Sequence, residues 1–220
     1  ELVLAQELVL LVDNVILWES LSIGFFLGGS GLGLLLFKEK YFQQDVKRFC
    51  NVELALSILG LFSVPLLLIL HIIYRIYFRD LSFLGDDAFR HLYVFASFSL
   101  VIPAIIGFFS GYELFLLSSI AKKVTGQKTD FSKMLLSYNW GAVVAVVFLI
   151  IVKKLSIEPL AVLRFISALN FFLAVFVRFI LTAKRAWIFC VTPTFMVLFF
   201  ISHFVGKNLN EVHLKAFYYR

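Results

Sequence analysis

The chain has 220 residues, of which 61% are hydrophobic and 15% are charged, and its mean hydropathy is +0.96. A soluble domain has about 45–50% apolar and about 25% charged residues, so this composition excludes an ordinary soluble enzyme. The formal net charge of +6 comes from short basic clusters between apolar blocks, a pattern typical of contact with lipid headgroups and not of nucleic-acid binding.

Long apolar blocks predict an all-α integral membrane protein, with a bundle of about seven transmembrane helices. A spanning helix needs about 20 predominantly apolar residues. The strands of a membrane barrel would instead be about 10 residues long and would alternate polar with apolar residues. In chain order the predicted spans are residues 1–12, 21–37, 52–77, 92–120, 134–152, 159–181 and 186–205.

The two ends of the chain differ from this pattern. The chain opens at Glu1, directly in an apolar run, so the first span is predicted to be the back half of a longer helix. The basic region and small-residue cleavage site of a signal peptide do not occur in this run. Residues 1–205 are therefore predicted to form the membrane domain, and residues 206–220 a polar connector towards a soluble domain beyond Arg220.

The Lys and Arg residues predict an orientation, because loops that face the cytoplasm carry an excess of both. The loops after the second, fourth and sixth spans hold ten of them: Lys38, Lys40, Lys47, Arg48, Lys122, Lys123, Lys128, Lys133, Lys184 and Arg185. The opposite side holds seven: Arg79, Arg90, Lys153, Lys154, Lys207, Lys215 and Arg220. This bias places the C-terminus outside a cell membrane, with a bacterial inner membrane as the expected location.

Glycines are concentrated in the second predicted span, at Gly24, Gly28, Gly31 and Gly33. Small residues three or four positions apart let a neighbouring helix approach closely, so these glycines are predicted to form a helix-packing face. A face that lines a transport pathway is the alternative. A phosphate-binding glycine loop is excluded, because no strand precedes the run.

Several polar side chains fall at membrane depth, where a charge costs about 2.5–3.5 kcal/mol and usually faces a partner or water. The candidates for a functional role are Glu7, Glu113, Asn139, Arg164 and Asn170. Candidate ion-pair partners for Glu7 and Glu113 are Arg164 and Arg178. For Glu53, Arg164 and Arg178, which lie near the ends of predicted spans, a structural ion pair or an interfacial position is the favoured interpretation.

No catalytic site, metal site or cofactor is predicted. Cys50 and Cys190 lie far apart and match no zinc, haem or redox spacing, so both are predicted to be free buried thiols. The four histidines are scattered, at positions 71, 91, 203 and 213, and form no metal-binding pair. Ser, His and Asp residues occur in no order that a nucleophile motif requires.

Several weak stretches, taken together and in order, carry a family resemblance. They are Glu1-Leu2-Val3-Leu4, Ser20-Leu21-Ser22-Ile23-Gly24-Phe25-Phe26-Leu27, Gly31-Leu32-Gly33, Glu53-Leu54, Ile106-Gly107-Phe108-Phe109-Ser110-Gly111-Tyr112-Glu113-Leu114, Tyr138-Asn139-Trp140-Gly141-Ala142, Leu163-Arg164 and Ala168-Leu169-Asn170-Phe171. Over nearly its whole length the chain resembles the transmembrane domain of membrane-bound spermidine synthase-like proteins, of the polyamine aminopropyltransferase family. Ser137 and Phe115 depart from the Asp and Pro that are common in that family.

The resemblance implies that a soluble aminopropyltransferase domain follows the last span. That domain would transfer an aminopropyl group from decarboxylated S-adenosylmethionine to putrescine, and it would carry the residues that bind both substrates. The present chain would then anchor or regulate that domain, or handle its substrate. The substrates are cytoplasmic, which conflicts with the C-terminus that the charge bias places outside.

Two other functions remain open on the sequence. One is a structural subunit of a larger membrane complex, without transferase activity. The other is a small-molecule transporter for polyamines or other cations, in which Glu113 or Glu7 attracts the cation, although no clear inverted repeat of the transporter type occurs. The expected partners are the lipid bilayer and other transmembrane helices or subunits, and not nucleic acid.

Overall fold

A computed structural model describes residues 15–36, 42–78, 97–125, 131–155, 159–181 and 186–218. All regular structure within these ranges is α-helical, without a strand, which confirms the all-α prediction for them. The first predicted span, residues 1–12, lies outside the described residues. The helices are α1 (Val15–Leu35), α2 (Phe42–Phe78), α3 (Val101–Thr125), α4 (Phe131–Lys154), α5 (Pro159–Leu181) and α6 (Ala186–Tyr218).

Three helical stretches are long and apolar enough to cross a membrane. They are Gln44–Ile73 in α2, Ser97–Val124, which includes most of α3, and Leu160–Ile180 in α5, with 30, 28 and 21 residues. At a rise of about 1.5 Å per residue, each is long enough for a hydrocarbon layer of about 30 Å. These stretches correspond to the third, fourth and sixth predicted spans.

Helix α2 begins at Phe42, whereas the sequence pattern predicts a span that begins at residue 52. The additional turns contain Asp45, which is fully buried. Its carboxylate accepts hydrogen bonds from Lys123 Nζ and, at 2.8 Å, from Ser119 Oγ, and Arg48 Nη1 lies 3.9 Å from Oδ1. Because these basic groups neutralise the acid, the polar beginning of α2 packs inside the bundle.

The contact between Asp45 and Lys123 also sets the direction of α3. Asp45 lies in the first turn of α2 and Lys123 in the last turn of α3, so the two helices run antiparallel. Helix α2 packs against α3, α5 and α6, and α1 packs against α3. Helix α4 lies at the periphery, where its described side chains from Asn139 to Ile151 are exposed.

Pro65 interrupts the hydrogen bonding inside α2, because a proline has no N–H to donate to the carbonyl four residues earlier. That carbonyl belongs to Leu61, and it accepts a hydrogen bond of 2.7 Å from Ser202 Oγ of α6. Ser202 is fully buried. Beside this bond the rings of Phe171 and Phe195 stack on each other, with centroids 4.0 Å apart, in one apolar cluster with Leu61. The serine thus satisfies the group that the proline leaves without its helical partner.

Prolines at two other positions suit the beginnings of helices. Pro159 is the first residue of α5, and the bounds of this helix match the predicted span. Pro103 is predicted to lie inside a long span, but it is the third residue of α3. A turn at Leu100 separates α3 from the helical residues 97–99, because Pro103 cannot donate to the Ser99 carbonyl.

Helix α6 runs to Tyr218 and crosses the predicted boundary between residues 205 and 206 without a break. Gly206 is buried next to Leu160 and Arg164 of α5. Leu209 packs against the cluster of buried apolar residues that α1, α2, α3, α4 and α5 share. The first residues of the predicted connector therefore belong to the bundle, and the attachment of a soluble domain stays a prediction.

Replacing Ser202 with Ala is expected to lower the free energy of unfolding by about 0.5–1.5 kcal/mol, because the Leu61 carbonyl loses its donor. In a Pro65→Ala background the restored N–H can bond that carbonyl, so the Ser202 substitution should have a smaller effect. Unfolding of the detergent-solubilised protein by SDS measures the loss of stability on Ser202→Ala in the wild type and in the Pro65→Ala background. Ser20, exposed on α1, serves as the matched serine-to-alanine control. Equal losses in the two backgrounds would contradict this role of Ser202.

Candidate functional site

Helices α1 and α3 touch backbone to backbone. An added Cβ on Gly29 would lie 2.1 Å from the carbonyl oxygen of Ala104, and one on Gly111 would lie 2.0 Å from the carbonyl oxygen of Ser30. No side chain fits into such a contact, so glycine is required on both helices. Each helix contributes two glycines four residues apart, Gly29 and Gly33 on α1 and Gly107 and Gly111 on α3.

Of the four glycines predicted to pack, Gly33 takes part in this contact. For Gly24, Gly28 and Gly31, no heavy atom of the described residues lies within 4 Å of an added Cβ, so their packing role stays a prediction. Gly24 and Gly28 line an apolar groove between α1 and α3. Sequence reasoning missed Gly29, Gly107 and Gly111 as packing residues, and a search of both helices for glycines four residues apart would have found them.

The glycine contact determines which side of α3 faces α2. Glu113 lies two residues beyond Gly111, which is a rotation of about 200° around the helix axis. Its side chain therefore lies on the face of α3 opposite the contact with α1 and points towards α2. On that side Tyr112 and Leu116 pack in one apolar cluster with Val52 of α2.

Two glutamates meet where α2 and α3 pack together. The carboxyl groups of Glu53 and Glu113 lie close enough to interact with each other. Glu53 is 1% exposed, and its Oε1 atom has no hydrogen-bond partner among the described residues, whereas Glu113 is half-buried. Both residues lie inside stretches that are long and apolar enough to cross a membrane. The candidate site is this carboxyl pair.

The favoured interpretation of Glu53, as an ion-pair member or interfacial residue near a span end, is wrong. Helix α2 begins at residue 42, so Glu53 lies about 16 Å inside the helix at 1.5 Å per residue. Asp45 occupies the end of the bundle instead and forms the ion pair with Lys123 there. The hydropathy pattern missed this arrangement because the partner of Asp45 lies on another helix, at a sequence separation of 78 residues.

Two further ionisable groups lie near the carboxyl pair, one on α2 and one on α5. Cys50, one turn before Glu53, is fully buried and free, as predicted. Arg178 of α5 and Glu53 both act electrostatically on the Cys50 thiol, so the guanidinium of Arg178 lies on the same side of the bundle as the pair. Arg178 itself is half-buried. The side chain of Cys190 is outside the described set.

The other predicted polar candidates lie apart from the pair or outside the described residues. Arg164 is half-buried at the opposite end of α5 from Arg178, about 21 Å along the helix, and its Nη2 lies 3.2 Å from the position of an added Cβ on Gly206. Asn139 is exposed on α4, and Asn170 is half-buried on α5. Glu7 is not among the described residues. The described part of the chain contains no group of three or more His, Cys, Asp or Glu residues that could hold a metal ion.

No family model, curated protein or solved structure matches this chain. The chemistry of the site therefore has to be inferred from its own geometry. The resemblance to spermidine synthase-like membrane domains stays a prediction.

Replacing Gly111 with Ala is expected to destabilise the protein by about 1–3 kcal/mol, because the added Cβ collides with the Ser30 backbone, which has no flexible side chain to move away. Gly28→Ala is the matched control, since open space surrounds that position among the described residues and Ala favours a helix more than Gly does. The thermal unfolding midpoint in detergent compares the two variants. Equal midpoints would show that α1 and α3 do not touch at Gly111.

Proposed function

We propose that the chain is the membrane domain of a spermidine synthase-like protein and that it anchors or regulates an aminopropyltransferase-type domain. This proposal is supported by contacts between separate helices, at the stretches that carry the family resemblance. Glu53, from the third-span stretch, lies close to Glu113, from the fourth-span stretch. In that same fourth-span stretch, Gly107 and Gly111 lie against the backbone of α1, which carries the second-span stretch.

The proposal includes seven spans, which is more than the three stretches identified by length and composition. Helices α1, α4 and α6 have 21, 24 and 33 residues. At 1.5 Å per residue they measure about 32, 36 and 50 Å, so each is long enough to cross a hydrocarbon layer of about 30 Å. Residues 1–12 would supply the remaining span. The antiparallel contact of α2 with α3 fits two successive crossings, and the cell membrane is the proposed location.

Helix α6 would connect the bundle to the attached domain. Its 33 residues make it about 20 Å longer than the hydrocarbon layer is thick, at 1.5 Å per residue. Gly206 and Leu209 hold the middle of this helix against the bundle, and the helix continues to Tyr218. A continuous helix is stiffer than a flexible linker, so a change of packing around Gly206 would be passed to whatever follows α6.

The test is aminopropyl transfer by the full-length gene product in membrane vesicles supplied with putrescine and decarboxylated S-adenosylmethionine. We expect the full-length protein to form spermidine, and the 220-residue membrane domain alone, as the control, to form none. A folded full-length protein without transfer activity would contradict the enzymatic part of the proposal, as would a reading frame that ends just beyond Arg220. Inactivity together with stable co-purification of other membrane subunits would favour the structural-subunit alternative.

A further inference from the structure

A hydrogen bond between two carboxyl groups requires a proton. An ionised carboxylate is an acceptor only, whereas a protonated one carries an O–H that can donate. Glu53 and Glu113 come close together where Val52 of α2 packs with Leu116 of α3, so a hydrogen bond between their carboxyl groups needs at least one bound proton. We propose that the Glu53–Glu113 pair is a proton-binding site that joins α2 to α3 within the membrane. This inference goes beyond the proposed function and does not depend on a transferase domain.

The burial of Glu53 is a second observation that points to a bound proton. Its side chain is 1% exposed, and its Oε1 atom has no hydrogen-bond partner among the described residues. The neighbouring side chains Val52, Leu56 and Leu116 are apolar and buried. A charged carboxylate without hydrogen bonds in such surroundings would carry a penalty of several kcal/mol, and binding a proton removes it.

Asp45 shows the other way in which a buried acid is accommodated between these two helices, which is pairing with a base. It is as buried as Glu53 and lies about 12 Å from it along α2. Its charge is compensated by Lys123 Nζ, and Ser119 Oγ donates a further hydrogen bond to it. The partner of Asp45 is therefore a base, whereas the partner of Glu53 is another acid.

The titratable and charged groups around the pair come from the three helices that pack against α2 and from α2 itself. On α2 the near group is the buried thiol of Cys50, and α3 contributes Glu113. On α5 the near group is Arg178, which acts electrostatically on Cys50. The described titratable side chains of α6, His203 and Lys207, are exposed.

Loss of the shared proton would place two like charges against each other between α2 and α3. The contact between these helices is therefore stable while the proton is bound, and its stability falls as the pH rises and the proton leaves. With one proton shared, the pair carries one negative charge instead of two. Binding of a polyamine or metal cation at Glu113 would consequently favour release of that proton.

Infrared difference spectroscopy of the full chain in lipid bilayers tests the proposal, because the C=O stretch separates protonated from ionised carboxyl groups. We expect a protonated-carboxyl band in the wild type, assigned with isotope-labelled glutamate, that disappears as the pH rises. The band should be lost or shifted in Glu53→Gln and in Glu113→Gln. Glu19→Gln, at a half-buried position on α1, is the matched control and should leave the band unchanged.

A stability measurement keeps the proposal testable if a single variant folds poorly. Two glutamine amides can hydrogen-bond without a titrating proton, so the unfolding midpoint of the double variant Glu53→Gln/Glu113→Gln should change less with pH than that of the wild type. The wild-type midpoint should fall as the pH rises. A wild type without the protonated band at neutral pH, or a band unchanged in both single variants, would overturn the proposal.

Discussion

Polar groups inside a hydrocarbon layer have no water to bond, so each must find its partner in the protein. At four successive depths of helix α2 the partner belongs to another helix, whereas Ser63 Oγ donates to the Gly60 carbonyl of α2 itself. Starting from Phe42, the pairs are Asp45 with Lys123 of α3, Glu53 with Glu113 of α3, Ser57 Oγ with the Ser167 carbonyl of α5 at 2.7 Å, and the Leu61 carbonyl with Ser202 Oγ of α6 at 2.7 Å. This succession of bonds makes α2 the centre of the bundle.

Directional contacts matter here because apolar surfaces alone do not select a neighbour within lipid. A leucine gains little by leaving lipid tails for another leucine, whereas a polar pair or a close backbone contact has one geometry. Ser167 shows both kinds of contact, since its carbonyl accepts from Ser57 and its Oγ lies 2.4 Å from the position of an added Cβ on Gly60. Helix α4 shows the opposite case, with exposed Val143, Val147 and Ile150 at the periphery.

The sequence predicts those features that belong to a single helix. The bounds of α5 follow from Pro159 and from the length of one apolar block, and both are visible in the chain. The free, buried state of Cys50 follows from the lack of any ligand or disulfide spacing. The all-helical class follows in the same way, because hydrocarbon requires each segment to satisfy its own backbone.

The features that the sequence did not reveal depend on two helices at once. Hydropathy places Asp45 in the loop before the span that begins at residue 52, because Lys123, which cancels its charge, comes from α3. The same error placed Glu53 near an interface and hid its pairing with Glu113. The sequence of α1 alone does not distinguish Gly29 from the other glycines of that helix. The matching four-residue spacing of glycines on α3 does. A single sequence contains no direct record of these spatial partners.

Helix α2 is expected to lie in hydrocarbon, with its polar groups turned into the bundle and its apolar groups turned to lipid. The most direct measurement is the accessibility of a nitroxide label at Leu66, an exposed apolar position on α2, in a variant without native cysteines and reconstituted in bilayers. We expect high accessibility to oxygen and low accessibility to a water-soluble nickel complex, with the reverse at the exposed control Gln44. Equal access of the nickel complex at both positions would contradict it.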